Sequence, residues 1–469
     1  MNTVAEQQLS ELFGERFVRA ETVLQEHGRD PSCHPAAAPE AVVYPTSTGE
    51  LQALARCCSA HGIGMIPYGA GSSVEGATLA TAGGIAVDLS KMNRIIEIDH
   101  TNQYAIVEAG VTRLQLGAAL ESSGLFFSVD PGADATLAGM ASTRASGTNT
   151  VRYGTIRENV YALEVVLADG TQLRTGSRAR KSAAGYDLTR LFIGAEGTLG
   201  FITELTVKLY PCPQAISAAV CTFSSVDDAV QTVVELQSND IRVARVELLD
   251  PVAIDAVNHY ADRNDPLAPT LFLEFHGSEA SVAERAQAAQ TIATSHGGSD
   301  FRWSTDDDER RSMWHARHNA YYAVRERRPG AIAVSTDICA PISQLSEIIR
   351  ESREDAERHQ LEAPMVGHVG DGNVHFIILA DPNSRKEIEA ANAFHGRLVD
   401  RALAAGGTCS GEHGIGIGKR EFLEREHGVG VDIMRAIKRQ LDPQGLMNPG
   451  KVFSVDREPQ RTSGPARQQ

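Results

Sequence analysis

A chain of 469 residues is too long for one ordinary hydrophobic core, so its length predicts two or three domains. The formal net charge of −16 argues against nucleic acid or an anionic membrane surface as a main partner. No apolar run approaches the ~18 residues of a membrane-spanning helix, and the acidic N-terminus is unlike a signal or transit peptide. Seven cysteines without a C-x-x-C motif fit reduced thiols. These features together predict a cytoplasmic protein with at most peripheral membrane contact.

The first half of the chain contains short apolar runs separated by turns. Residues 1–37 predict a helix followed by an extended arm, and a first domain is predicted over 38–214. A hairpin is predicted where Asp169 and Gly170 separate two further apolar runs. The other runs with strand character are 41–45, 64–67, 84–89, 95–98, 104–109 and 201–209.

Two stretches of small residues stand out in this first half. The loop 68–76 has three glycines and two serines, so it can present successive backbone N–H groups to an anion. It lacks the sequence of a P-loop and of the Rossmann fingerprint, and a generic glycine-rich turn is the alternative. The stretch 136–154 allows the backbone to approach a flat, extended ligand closely, unless it is simply a loop packed beneath another element.

The pattern changes after Pro213, and a second domain is predicted over 215–454. Strands and helices alternate there, which favours an antiparallel sheet with helices on one face. The remaining residues, 455–469, are polar and predict a disordered tail. The predicted strands are 218–223, 242–248, 271–276 and 331–338, and the predicted helices are 227–237, 279–294, 307–326, 342–358 and 385–405.

The sequence HVGDGNVH at 368–375 predicts a tight hairpin between two apolar runs. If Asp371 and Gly372 occupy the turn, both with φ > 0, His368 lies directly opposite His375. Opposed side chains point to the same face with Cβ atoms roughly 4.5–5.5 Å apart, so the two imidazoles can share a metal ion. The alternative is that each histidine is an ordinary hydrogen-bonded residue.

A second short motif, GEHG at 411–414, adds a carboxylate at Glu412 and an imidazole at His413. Two histidines and one carboxylate leave open coordination positions on a divalent ion. The two motifs together predict a metal-assisted redox site.

Three phrases of the chain, PYGAGSSVEGATL, GAEGTLGFITE, and HVGDGNVH with GEHGIGIGKR, resemble the vanillyl-alcohol-oxidase and p-cresol-methylhydroxylase superfamily of FAD enzymes. The resemblance runs from about 41 to 453. It implies an α+β fold with a two-part FAD-binding domain and a ferredoxin-like α+β cap domain. Within the superfamily the chain is similar to the branch of D-lactate dehydrogenases, D-2-hydroxyglutarate dehydrogenases and glycolate oxidase flavin subunits, with its C-terminal half most like the cytochrome-type D-lactate dehydrogenases.

The resemblance also implies where the cofactor binds. Because the loop 68–76 contains no histidine or cysteine to tether a flavin, we expect non-covalent FAD. The implied FAD-binding residues are Pro67, Gly69, Ala70, Gly71, Ser72, Ser73, Gly76, Pro131, Gly132, Thr136, Gly139, Ser142, Ala145, Ser146, Gly147, Thr148, Glu196, Gly197, Gly200, Ile202 and Asn448.

The same resemblance gives roles to the residues of the two motifs. It implies that His368, His375 and Glu412 bind a divalent metal, zinc or manganese, and that His413 is the catalytic base. Arg317 matches an arginine that pairs with the substrate carboxylate, although a surface salt bridge is an equal alternative.

The implied reaction is oxidation of a D-2-hydroxy acid by hydride transfer to FAD. A metal ion that chelates the substrate lowers the pKa of its hydroxyl, and a nearby histidine takes the proton. Ser335 stands where hydroxyglutarate-type relatives have a lysine, which favours a monocarboxylate, and D-lactate oxidation to pyruvate is the expected reaction. No haem or iron–sulfur motif is present, so we expect an external acceptor, a cytochrome or a quinone.

Several alternatives stay open at this point. A glycolate oxidase flavin subunit and a D-2-hydroxyglutarate dehydrogenase share these motifs. A non-catalytic flavin-binding subunit would not need the metal-binding residues, and a zinc hydrolase leaves the glycine-rich first half unexplained. The oligomeric state is open, with a homodimer as a candidate.

Overall fold

The computed structural model describes residues 1–454, so the predicted disordered tail 455–469 lies outside the described residues. The chain begins with helix α1, whose first turn is capped by the side chain of Asn2. A short strand and a second helix follow before the first parallel strands. These elements are α1 (Thr3–Phe13), β1 (Phe17–Val18) and α2 (Glu21–His27).

A small sheet of order β1-β2-β4-β3 delivers the chain into the glycine-rich loop. Strands β2, β4 and β3 are parallel, and β1 is antiparallel to β2. Ser47 caps the crossover helix α3, whose buried Leu51 and Leu54 lie on its apolar face. The loop 68–76 starts where β3 ends. The bounds are β2 (Ala41–Val43), α3 (Thr48–His61), β3 (Met65–Tyr68) and β4 (Ile85–Asp88).

A second, antiparallel sheet of order β5-β6-β10-β8-β9 shares one hydrophobic core with the first sheet. It contains the predicted hairpin around Asp169 and Gly170, and this prediction is confirmed. The elements of this part are β5 (Ile95–Asp99), β6 (Tyr104–Glu108), α4 (Arg113–Leu120), β7 (Leu125–Phe126), α5 (Leu137–Thr143), α6 (Thr150–Tyr153), β8 (Val160–Val166), β9 (Gln172–Gly176), α7 (Leu188–Phe192), β10 (Phe201–Lys208) and β11 (Tyr210–Pro211).

A third sheet is antiparallel and has eight strands, in the order β15-β12-β14-β13-β18-β19-β16, with β17 also pairing β19. Its elements are β12 (Ala215–Thr222), α8 (Val226–Ser238), β13 (Arg245–Leu249), α9 (Pro251–Ala261), β14 (Thr270–Gly277), α10 (Glu279–Ser295), β15 (Ser299–Ser304), α11 (Asp307–Glu326), β16 (Ile332–Ser335), β17 (Ile338–Cys339), α12 (Leu345–Arg358), β18 (Met365–His368), β19 (Asn373–Ala380) and α13 (Arg385–Ala404).

The prediction that helices cover one face of this sheet is wrong. Helices α8, α10, α12 and α13 pack on one face, and α9 and α11 pack on the other. Successive residues of β12 point to opposite faces of the sheet. Ala219 packs in the cluster of α8, α10, α12 and α13, and Val220 packs in the cluster of α9 and α11. Helix α9, which starts with an Asp250 cap and Pro251, was missed in the sequence.

The chain ends by returning to the first core. Helices α14 (Arg420–His427) and α15 (Val429–Leu441) precede a segment in which Met447 forms a parallel bridge with Met65. Leu446 and Met447 are buried in the same cluster as the two N-terminal sheets. Within residues 1–454, no helix combines the length and apolarity needed to span a bilayer.

Candidate active site

The hairpin 368–375 places its two histidines on one face, but not opposite each other. His368 pairs with Asn373, and His375 pairs with Val366, so the turn lies one residue earlier than predicted. Alternate residues of a strand share a face, and the two imidazoles are therefore diagonal neighbours, with ring centroids 5.4 Å apart. Only Gly372 of the predicted turn pair has positive φ. A Cβ there would lie 2.0 Å from the Ala340 carbonyl oxygen, so this position requires glycine.

Glu412 completes a compact group of three candidate ligands. Its Oε1 lies 3.4 Å from Nε2 of His368 and 3.3 Å from Nε2 of His375. Ligands that sit about 2.0–2.2 Å from a tetrahedral zinc ion are separated by comparable distances. The observed spacing and donor set therefore fit a divalent metal ion.

The other nitrogen of each imidazole is already engaged. Nδ1 of His368 lies 2.7 Å from Oε1 of Glu247, and Nδ1 of His375 lies 2.9 Å from the carbonyl oxygen of Thr336. Ser146 donates a hydrogen bond to Oε2 of Glu412 at 2.6 Å. These contacts orient both Nε2 atoms and one carboxylate oxygen toward a common point, as metal sites require.

The electrostatics of this group also favour a cation. Burial opposes a charge on His368, but Glu247 and Glu412 raise the pKa of its imidazole well above the ordinary value. Burial likewise opposes a charge on Glu412, yet His368 and His375 hold the pKa of that carboxyl well below its usual range. The negative potential of these carboxylates, which favours the protonated form of His368, also attracts a divalent cation to the same place.

His413 lies beside this group and lines a cavity that the glycine-rich loop also lines. Its ring stacks on that of His375 with centroids 5.0 Å apart. Burial, against the opposing charge of Asp337, lowers the pKa of His413 to about 4. The imidazole is therefore neutral near pH 7 and able to accept a proton.

A cavity of about 260 Å³ is lined by the glycine-rich loop at 69–74 and also by Glu412 and His413. All but three of the predicted FAD-binding residues line it; the exceptions are Gly76, Gly147 and Thr148. Gly76 packs against Ile417, while Gly147 and Thr148 contact Asp130. The lining residues that the sequence did not single out are Tyr68, Val74, Ala77, Thr78, Leu89, Ala109, Ala133, Ala135, Ala138, Met140 and Thr143.

The polar groups of this cavity fit a flavin dinucleotide. In the described part of the chain, the backbone N–H groups of residues 70–74 donate no hydrogen bond, which suits a pyrophosphate. The buried Oδ1 of Asn448 has no partner, while its Nδ2 is fixed by the carbonyl oxygens of Ala77 and Glu196. Small residues on the opposite wall leave room for a flat ring system.

Arg317 lies at the edge of the metal-binding candidates and does not line the cavity. Its Nε donates to Glu247 at 2.6 Å, and Glu247 in turn contacts His368. This ion pair is not a surface salt bridge, since the side chains of Arg317 and Glu247 are 13% and 1% exposed. The structure instead connects Arg317 to the candidate metal group through one shared carboxylate.

A buried charge cluster behind His413 was missed in the sequence. Lys419 is fully buried, with its Nζ 3.1 Å from Oδ2 of Asp337 and 3.1 Å from Oε1 of Glu75. Burial opposes the charge on Lys419, but the two carboxylates raise the pKa of its ammonium. The sequence signal for this cluster is that Glu75 interrupts the glycine-rich loop and Asp337 interrupts an apolar predicted strand.

Comparison with known protein families identifies the family of this chain. The description "FAD linked oxidases, C-terminal domain" matches residues 212–452, which is about half of the chain, and "FAD binding domain" matches 39–176. The chain belongs to the FAD-linked oxidases. FAD is therefore its cofactor, and it is an oxidoreductase.

Two curated relatives of this FAD-linked oxidase cover nearly all of it. A probable mitochondrial D-lactate dehydrogenase of Danio rerio is 48% identical over 92% of this chain and 88% of its own length. A mitochondrial D-lactate dehydrogenase [cytochrome] of Arabidopsis thaliana is 42% identical over 97% of this chain and 79% of its own length. The mitochondrial location of these relatives overturns the cytoplasmic expectation. Amino-acid composition does not specify subcellular location, which explains the error.

Solved structures agree with the expected fold class. Crystalline p-cresol methylhydroxylase with bound substrate superposes with a TM-score of 0.79 at 20% identity, covering 97% of each chain. This likeness confirms the α+β architecture with a two-part FAD-binding fold of the vanillyl-alcohol-oxidase type.

Proposed function

We propose that this FAD-linked oxidase is a D-lactate dehydrogenase that oxidises D-lactate to pyruvate. The identity to D-lactate dehydrogenases over most of the chain supports the substrate. The observation that carries the proposal is geometric. Glu412, which belongs to the candidate metal group, and the neutral His413 line the same cavity as the glycine-rich loop that fits FAD.

In this reaction D-lactate loses its hydroxyl proton and a hydride from C2. His413 accepts the proton on its cavity side, a step typically worth about 10²–10⁴-fold in rate. Bound FAD supplies the two-electron acceptor for the hydride.

His368, His375 and Glu412 would hold a divalent ion, with zinc and manganese as the candidates. Such an ion supplies Lewis-acid stabilisation of the deprotonating hydroxyl. Glu247 and Ser146 keep two of these ligands oriented. We retain Arg317 as the candidate partner of the substrate carboxylate, because Glu247 engages its Nε and one terminal nitrogen and leaves further N–H donors.

The reaction also needs an external acceptor for the two electrons. A relative's name specifies cytochrome, and the sequence contains no haem-attachment or iron–sulfur motif of its own. We propose a cytochrome, with a quinone as the alternative. A homodimer stays a prediction, which light scattering of the purified holoenzyme measures.

A substrate panel tests the proposal. The holoenzyme is given D-lactate, L-lactate, glycolate or D-2-hydroxyglutarate under anaerobic conditions with an artificial dye, with and without EDTA. We expect the highest kcat/KM for D-lactate, and loss of turnover in EDTA that zinc or manganese restores. A preference for glycolate or D-2-hydroxyglutarate would move the assignment to those alternatives, and unchanged activity after metal removal would contradict the metal site.

A further inference from the structure

The loop 411–416 carries both Glu412 and His413, and it is held by buried carboxylates at both ends. At its start, Oδ2 of Asp337 accepts the backbone N–H groups of Glu412 at 3.1 Å and His413 at 2.9 Å. At its end, Glu196 accepts the backbone N–H group of Ile415 on Oε1 and that of Gly416 on Oε2, at 2.7 and 2.8 Å.

The two carboxylates come from different parts of the molecule. Asp337 lies between β16 and β17 of the third sheet, whereas Glu196 follows α7 beside the core of the first two sheets. Glu196 therefore connects the loop to the part of the chain that forms the flavin cavity. The Ser146 hydroxyl, which donates to Oε2 of Glu412, is a second contact between the loop and this part of the chain, but it reaches a side chain and not the loop backbone.

Glu196 is itself rigidly placed. Its backbone N–H donates to the Ser142 carbonyl at 2.8 Å, and its own carbonyl accepts Nδ2 of Asn448 at 2.7 Å. Its φ is +49°, a value that non-glycine residues rarely adopt and that often marks functional sites. A Cβ at Gly414 would lie 3.0 Å from Oε1 of Glu196, so the loop approaches this carboxylate closely.

We propose that Glu196 is a positioning residue, which fixes Glu412 and His413 relative to the bound flavin through the two backbone hydrogen bonds. Although Glu196 lines the cavity, both of its carboxylate oxygens are used by the loop. The inference rests on the proposed function for the roles of Glu412 and His413. The contact itself does not depend on the identity of the substrate.

The test compares Glu196→Gln with Glu164→Gln as a matched control. Glu164 is a carboxylate of equal 5% exposure in β8, and it accepts hydrogen bonds from Thr48 and Thr203 instead of the loop. Glutamine at 196 retains one acceptor oxygen and turns an N–H₂ group toward a backbone N–H, so one loop hydrogen bond is lost.

We expect Glu196→Gln to retain FAD but to reduce its flavin with D-lactate at least about tenfold more slowly, at saturating substrate, than wild type. Hydrogen–deuterium exchange of the peptide spanning 411–418 should accelerate, without substrate, in this variant and not in Glu164→Gln. Glu196→Asp, which keeps both oxygens, should recover part of the rate.

The outcomes separate this inference from the proposed function. Wild-type protein that oxidises no D-lactate sinks the proposed function, while the exchange measurement still reports on the loop. Unchanged exchange and unchanged flavin reduction in Glu196→Gln overturn the positioning role. Loss of FAD from both Glu196→Gln and Glu196→Asp would make Glu196 a cofactor-binding residue instead, and would overturn the inference as well.

Discussion

At the scale of single residues, the buried Nδ1 of His413 is notable because it has no hydrogen-bond partner. Glu75 and Asp337 both lie 4.0 Å from it, too far for a direct hydrogen bond. The His413 imidazole is therefore placed by stacking on His375 and by its backbone. Its side chain can be changed without breaking a hydrogen bond of its own.

We predict that His413→Asn retains its yellow flavin and loses roughly 10²–10⁴-fold in kcat, because the proton acceptor is removed. Stopped-flow flavin reduction by D-lactate measures the loss. His276→Asn is the control, since the His276 side chain is also shielded from solvent but contacts Glu274 and Tyr153 away from the cavity. Full activity of His413→Asn would sink the assignment of the base.

Lys419 gives a prediction about stability. Its ammonium is fully buried between Asp337 and Glu75. Replacing it with methionine leaves two uncompensated carboxylates, and breaking a buried pair typically costs about 3–5 kcal/mol. Urea unfolding should show this loss for Lys419→Met, whereas Lys386→Met at an exposed position should match wild type. Equal unfolding midpoints for both variants would contradict the prediction.

Residues that act through a local motif could be predicted from sequence. Residues 69–74 of the glycine-rich loop and Asn448 line the expected cavity, and His368, His375 and Glu412 of the two motifs form the expected ligand group. Asp337, Glu75 and Glu247 could not be predicted, because their positions depend on side chains more than 100 positions away or on other strands. Burial of a carboxylate beside a specific cation is not visible in a local pattern.

At the scale of elements, α12 and α13 are joined by a buried carboxylate. Asp355 is 1% exposed and accepts hydrogen bonds from Arg397 and Arg401. Burial raises the pKa of Asp355, but these two guanidinium groups lower it to about 2, against an ordinary 3.8. The helix pair is therefore held by an interaction that depends on ionisation of one side chain.

The sign of the pH effect follows from this depressed pKa. The unfolded chain binds a proton at Asp355 more readily than the folded chain does, so the stabilisation is complete above pH 3.8 and disappears as the pH falls toward 2. We predict that wild type loses on the order of 2 kcal/mol more than Asp355→Asn across this window. Urea unfolding at stepped pH measures the difference. The exposed Asp400→Asn should follow wild type, and parallel curves for all three would refute the prediction.

Element positions were predicted better than their mutual arrangement. Helix α11 occupies the predicted residues because its apolar spacing is local. The hairpin register differs from the prediction by one residue, and Gly372 in the turn lies against Ala340, which follows the neighbouring strand β17. Helices on both faces of the third sheet were not predicted, since strands buried on both faces lack an alternating pattern.

At the scale of the whole molecule, the flavin cavity is built from segments that are far apart in sequence. We predict that FAD is released by acid precipitation, because the loop 68–76 offers no histidine or cysteine for a covalent bond. Flavin that sediments with the protein would contradict this.

Reversible binding has a consequence for stability. Added FAD at about 100 times its Kd should stabilise the apoprotein by about 2.7 kcal/mol. Thermal unfolding of apoprotein across an FAD titration measures this as a rising Tm. Riboflavin is a suitable control ligand, since it lacks the pyrophosphate that residues 70–74 are placed to bind. An equal rise in Tm with riboflavin would argue against the loop as the pyrophosphate site.

The parallel bridge between Met65 and Met447 has a consequence for biosynthesis. The strand that leads into the glycine-rich loop is synthesised long before Leu446, Met447 and Asn448. The cluster of the first core is therefore complete only once residues 446 and 447 have been added. A nascent chain arrested before 446 lacks Asn448 at the cavity, so we expect full FAD binding only after this segment has been synthesised.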